Sequence, residues 1–142
     1  MNKVICYPRC CTPKYYSDDD YYFEMFTVPE QKINNVGHVG VQLFKELRKS
    51  KIAPTVEALD FTIIAMAVVA ADKAVLRKKS ADGWTRKIEL CIYLHDAPKW
   101  RQEKRKLEEM LRFLSGDFWV LNINALPESL VPQKKYDLRQ QD

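Results

Sequence analysis

An arginine interrupts the apolar register of the segment Trp84-Thr85-Arg86-Lys87-Ile88-Glu89-Leu90-Cys91-Ile92-Tyr93-Leu94. Strand alternation puts Trp84, Arg86, Ile88, Leu90, Ile92 and Leu94 on one face and Lys87 and Glu89 on the other. An unpaired guanidinium on the buried face of a sheet costs roughly several kcal/mol, so the chain must fold in a way that brings an acid to Arg86. Asp72 before it and Asp117 after it are the two candidates.

The segment that carries Asp72 is itself unusual. Pro54 and Thr55 open a helix that runs to about residue 74, with Thr55 as its N-cap, and from Phe61 to Ala71 its only polar residue is Thr62. A helix apolar almost all round is expected at the centre of a fold, covered on several sides. Asp72 then sits near its C-terminus, where the helix dipole disfavours an anion by up to about 1 kcal/mol and a nearby arginine offsets the cost.

Around this pair the chain alternates strands and helices. Residues 3 to 7 and 21 to 28 read as strands joined by a polar loop that holds Pro8, Pro13 and Asp18-Asp19-Asp20, which suggests a long-looped hairpin. Gly37 to Gly40 lead into a helix over 39 to 49 with Gly40, Leu43, Phe44 and Leu47 on one face. Asp82-Gly83 marks a turn. Asp96 and Pro98 start a helix over 97 to 114, whose apolar face is Trp100, Leu107, Met110, Leu111 and Leu114, and Gly116 stops it. Asp117 to Asn124 reads as the last strand, and residues 127 to 142 as a linker or tail after a single domain of residues 1 to 126. The expected class is α+β, with a largely antiparallel sheet packed against two or three helices, one of them central and buried.

Bulk properties exclude few functions. The 142 residues suit one domain, and a net charge of +4 falls short of the concentrated charge of a nucleic-acid groove. The longest apolar run is too short to span a bilayer, and the N-terminus has no extended apolar stretch followed by small residues, so the expectation is a cytoplasmic chain without a membrane partner. Cys6, Cys10 and Cys11 with His38 could in principle hold zinc, but their spacing fits no paired pattern, and small hydrophobes or free thiols are the simpler reading. Asp18 to Asp20 lack the alternating ligands of a calcium loop and read as a solvated turn. No cofactor or metal site is expected.

Catalytic signals are weak. There is no phosphate-binding glycine loop, nucleophile elbow, zinc-protease helix or C-x-x-C pair. His95 beside Asp96 could form an acid and base pair with Cys91 nearby, yet neighbours at a strand end point apart and Asp96 is already needed as a cap. Lys78, Lys79, Lys99, Arg101 and Arg105, interleaved with Trp84 and Trp100, form a candidate nucleic-acid surface, so a small basic nucleic-acid-binding protein is the alternative reading. Glu103, Glu108 and Glu109 dilute that charge, and a solvated helix face with i, i+4 pairs is the favoured reading of it.

Four pieces of the chain share a pattern. They are Ala71-Asp72-Lys73 followed by Arg77; Asp82-Gly83-Trp84-Thr85-Arg86-Lys87-Ile88-Glu89-Leu90; Trp100; and Phe113-Leu114-Ser115-Gly116-Asp117-Phe118-Trp119. This pattern resembles the domain that precedes the ATPase in 7-cyano-7-deazaguanine synthase-like proteins of bacterial anti-phage defence systems. Lys73 and Ser115 depart conservatively from it, and the first fifty residues carry none of it. In that family the chemistry belongs to a downstream ATP-pyrophosphatase module with a Ser-Gly-Gly-x-Asp-Ser loop, which this sequence lacks. The resemblance implies a non-catalytic accessory domain, for interaction or substrate recognition, with that module or neighbouring defence proteins as partners. Read from the residues themselves, Asp72, Arg77, Trp84, Arg86, Asp117 and Trp119 form a structural or ligand-facing network, the structural role being favoured, with Trp84 and Trp119 covering the ion pair.

Overall fold

The computed structural model describes residues 1–29 and 35–130. Five strands, β1 (Asn2–Pro8), β2 (Tyr21–Met25), β3 (Val36–Val39), β4 (Lys87–Leu94) and β5 (Phe118–Ala125), form one sheet in the order β3-β2-β1-β4-β5. Every neighbouring pair is parallel. The expected largely antiparallel sheet is therefore wrong, and so is the hairpin of β1 and β2. The connection from Arg9 to Asp20 is not a hairpin loop but a return crossover, and parallel strands need one of about that length.

The four α-helices among the described residues lie in the later crossovers. α1 (Leu43–Lys49) and α2 (Val56–Ala74) join β3 to β4, and α3 (Ala97–Gln102) and α4 (Lys104–Ser115) join β4 to β5. The long helix foreseen over 97 to 114 is thus broken at Glu103, and the one foreseen over 39 to 49 is shorter, because Val36 to Val39 form an edge strand. A Cβ on Gly37 would stand 2.6 Å from the Phe23 ring, so a residue without a side chain is what lets this edge strand close on β2. Local end signals work as the sequence suggests. Thr55 accepts the Ala58 N–H, Asp96 accepts the Lys99 N–H, and Gly116 takes the left-handed conformation that ends α4.

One core binds these elements. Val4 and Cys6 of β1, Ile88, Leu90, Ile92 and Leu94 of β4, and Trp119, Leu121 and Ile123 of β5 meet Ile63, Ile64, Ala67 and Ala71 of α2 and Leu111 of α4. Helices from both later crossovers therefore cover the same face of the sheet. The side chains that alternate with these, such as Tyr7, Cys91 and Tyr93, point to the other face, where the β1 to β2 connection supplies Tyr16. Tyr16 bonds the Tyr7 hydroxyl and packs edge-on against Tyr22.

The central, all-round-buried helix is also corrected. α2 buries Leu59, Asp60, Ile63, Ile64, Ala67, Ala70 and Ala71, but Phe61 and Val69 are more than half exposed and Ala65 between them is exposed too. Likewise Met110 and Leu114, expected in the core, are exposed on α4. Residues 127 to 130 run back onto the body, where Leu130 packs against the core; the rest of the expected tail, 131 to 142, lies outside the described residues.

Candidate functional site

The parallel sheet has two chemically different ends. Arg86 and Asp117 stand immediately before β4 and β5, at the amino ends of the strands, where α2 and α4 finish. Arg86 is 2 % exposed and Asp117 fully buried. Arg86 Nε and Nη2 donate to Asp117 Oδ2 at 3.1 and 2.7 Å, and Nη2 also donates to Asp72 Oδ1 at 2.6 Å. Its Nη1 donates to the carbonyls of Asp72 and Val75, at 2.9 and 2.8 Å, which are the unsatisfied carbonyls at the end of α2. All of the guanidinium's N–H groups are thereby used. A cation at a helix C-terminus also complements the helix dipole.

Both candidate acids therefore meet Arg86, but not equally. Asp117 is enclosed, whereas the Asp72 side chain is 58 % exposed and adds an edge contact. Asp117 has a second cation. Arg77 donates to its Oδ1 and Oδ2 at 2.9 and 3.1 Å, and to the carbonyls of Trp84 and Ser115, the latter at the end of α4. The Arg86 backbone N–H completes the set on Asp117 Oδ1. Burial by itself would raise the Asp117 carboxyl, but the Arg86 hydrogen bonds and the charges of Arg86 and Arg77 hold it below the usual carboxylate range.

The two tryptophans divide. Trp119 is buried and donates from Nε1 to Ser115 Oγ. Trp84 is 64 % exposed, because β4 begins at Lys87 and the preceding residues turn away from the strand register. Asp82 accepts the N–H groups of Trp84 and Thr85 and sets that turn; these bonds hold its carboxyl at about 2. Trp84 thus covers not the Arg86–Asp117 pair but Arg77, whose guanidinium carbon lies 4.7 Å from the ring centroid.

At the carboxyl ends of the strands lies a cluster that the spacing of His95 and Asp96 does not reveal. The acid that meets His95 is Asp60, from the first turns of α2. It is fully buried and accepts from the backbone N–H groups of His95 and Asp96, at 2.8 and 2.9 Å, and from Trp100 Nε1 at 3.1 Å. His95 Nδ1 is 2.7 Å from its Oδ1, and His95 Nε2 accepts the Leu130 N–H at 2.9 Å. Because Nε2 accepts, the imidazole proton sits on Nδ1 and points at Asp60. The sequence did carry one signal for this. Asp60 lies one helical turn before Ile63 and Ile64, on the buried stripe of α2.

A comparison of the chain with protein-family models, curated proteins and solved structures finds no match in any of the three.

The remaining candidates do not assemble. Cys6 is in the core and burial, with Cys91 next to it, pushes its thiol up to about 12; Cys91 is pushed to about 11 by burial and then by Glu89. Cys11, a free thiol beside the free thiol of Cys10, is raised to about 12 by burial and by its hydrogen bond with Cys10. His38 lies 3.6 Å from Glu24, and among the described residues no group of three or more His, Cys, Asp or Glu side chains is placed to hold a metal. The disfavoured acid and base pair of His95 and Asp96, with Cys91 nearby, is not formed, since His95 turns to Asp60, Asp96 caps α3 and the Cys91 thiol hydrogen-bonds Glu89.

The basic surface is partly committed elsewhere. Lys99 pairs with Glu57, Arg105 with Glu109, and Arg101 Nε donates to the Ile123 carbonyl at 3.0 Å. Together with Glu108, which accepts the Leu121 N–H, Arg101 covers the main chain on the outer edge of β5. Lys78 and Lys79, in the 3-10 turn after α2, are exposed. No helix among the described residues is long and apolar enough to cross a membrane.

Proposed function

We propose that the chain is a non-catalytic accessory domain of a deazaguanine-synthase-like defence protein, acting in partnership with an ATP-pyrophosphatase module. The observation that carries this reading is the convergence of the quoted pattern. Asp72, Arg77, Trp84, Arg86, Ser115, Asp117 and Trp119, spread over almost fifty residues, meet in one cluster at the amino ends of β4 and β5. Every N–H of the Arg86 guanidinium has an acceptor within the chain, and Asp117 is enclosed by protein donors. A cluster of this kind clamps the ends of α2 and α4 to two strands. Its place also favours a structural role, because open parallel sheets bind ligands beyond the opposite, carboxyl ends of their strands.

The test is co-purification of the full chain with the products of adjacent genes, one of which should carry a Ser-Gly-Gly-x-Asp-Ser loop. Recovery of a stable complex with that ATPase supports the reading. A chain that joins none of the neighbouring products, or that instead binds nucleic acid with a steep salt dependence lost on charge reversal of Lys78 and Lys79, overturns it.

A further inference from the structure

We infer that the exposed face of α2 is the interface of a symmetric dimer, in which two copies of this chain pack their α2 helices antiparallel about a two-fold axis through Ala65. This inference is independent of the accessory-domain reading. It starts from an apolar ridge that the described residues leave largely open, Phe61 meeting the Trp100 ring at its edge with 6.5 Å between ring centroids. Phe61, Ala65 and Val69 follow one another at intervals of four residues; Phe61 is 56 % and Val69 53 % exposed. Rows of side chains at this spacing are the ridges by which helices pack on helices.

The ridge is complementary to itself. Turned about Ala65, an antiparallel copy sets Phe61 against Val69, Ala65 against Ala65, and Glu57, an exposed residue that also pairs with Lys99 of its own chain, against Lys73. The residue at the axis is small, which permits close approach of the two backbones. The large residue at one end meets the smaller one at the other, and the acidic end of the helix meets the basic end. Beside Val69 the fold also leaves an apolar groove of about 530 Å³, lined by Phe23, Val39, Met66, Val69 and Ala70. The Phe61 ring of the second copy fits there as an aromatic anchor in a hydrophobic pocket. Lys73 lies at the rim of the same groove, within the reach expected for Glu57 of that copy. An isologous arrangement closes on itself, so it gives a dimer rather than a fibre.

The experiment uses the full chain. Sedimentation equilibrium of the wild type should give the mass of a dimer that dissociates on dilution. Ala65→Arg should give a folded monomer with an unchanged circular-dichroism spectrum and the melting profile of wild type diluted to its monomeric state, since residue 65 is exposed in the single copy and only the stabilisation from association is lost. In a background with Cys10→Ser and Cys11→Ser, Ala65→Cys should form a disulfide-linked dimer under mild oxidation. Val69→Cys alone should not, whereas a mixture of Phe61→Cys and Val69→Cys chains should link to each other. A wild type that is monomeric at every soluble concentration overturns the inference, as does a dimer that persists in Ala65→Arg. Cross-linking through Val69→Cys but not Ala65→Cys overturns the axis and therefore the interface.

Discussion

The two ends of the sheet each bury a carboxylate, and they satisfy it by opposite means. At the amino ends Asp117 is held by two guanidiniums and a backbone N–H. At the carboxyl ends Asp60 is held by two backbone N–H groups, an indole N–H and an imidazole. The first acid is neutralised by cations that never lose their charge near neutral pH, so that end is fixed by electrostatics. The second is satisfied by groups that are neutral or titratable, and its outermost member, His95 Nε2, holds the returning chain at Leu130. A single fold thus has a clamp at one end and, at the other, a polar cluster through which the segment after β5 is tied down.

The sharpest way to break this contrast is to remove each acid. Asp117→Ala strands two arginines, one of them buried, and should destabilise the chain by about 3–5 kcal/mol in urea unfolding. Asp60→Ala leaves two backbone N–H groups and the Trp100 indole without their acceptor, and should cost about 2–3 kcal/mol while also loosening Leu130, read as faster amide exchange there. Equal losses in the two variants would show that the clamp is no stronger than the neutral cluster.

Acid sharpens the same point. The Asp117 carboxyl lies below its unfolded value of about 3.9, so its contribution is complete above that pH and fades as pH falls through the lower folded value. The stability advantage of wild type over Asp117→Asn should therefore be constant near neutrality and shrink below about pH 4. An advantage that does not shrink in acid would show that the arginines do not hold this carboxyl low. The smallest effect is expected at Asp72. Its side chain is largely exposed and its main-chain carbonyl remains for Arg86, so Asp72→Asn should cost about 1 kcal/mol or less in the same unfolding experiment.

What could be read from the sequence follows the range of the interactions involved. Thr55, Asp96 and Gly116 act within their own turns, so their residue types suffice to place helix ends. Arg86 is legible for another reason: a charge in an apolar register demands an acid, and few acids were available. Strand direction was not legible, because nothing within β1 or β2 distinguishes a hairpin from a crossover of twelve residues. The interspersed helices were the better guide, and they point to parallel pairing. The apolar helix from 56 to 74 misled in a different way. Its composition records that the residues avoid charge, not how many of their neighbours belong to the same chain, so Phe61 and Val69 were assigned to a core that does not reach them. For His95 the sequence argues against the neighbouring Asp96 but offers no other acid, because its partner stands 35 residues away on another element.

The placing of β1 at the middle of the sheet bears on how the chain comes to be folded. β1 lies between β2 and β4, and Val4 pairs with Leu90 as well as with Tyr21. Of the five described strands β1 is synthesised before the others, and its second neighbour arrives more than eighty residues later. Long-range parallel pairing is slow, because the closure of the intervening chain precedes any gain from the contacts. Until β4 emerges, Val4 and Cys6 lack the neighbours that cover them in the finished fold. The nascent domain is then expected to stay open along its central strand until β4 has been made.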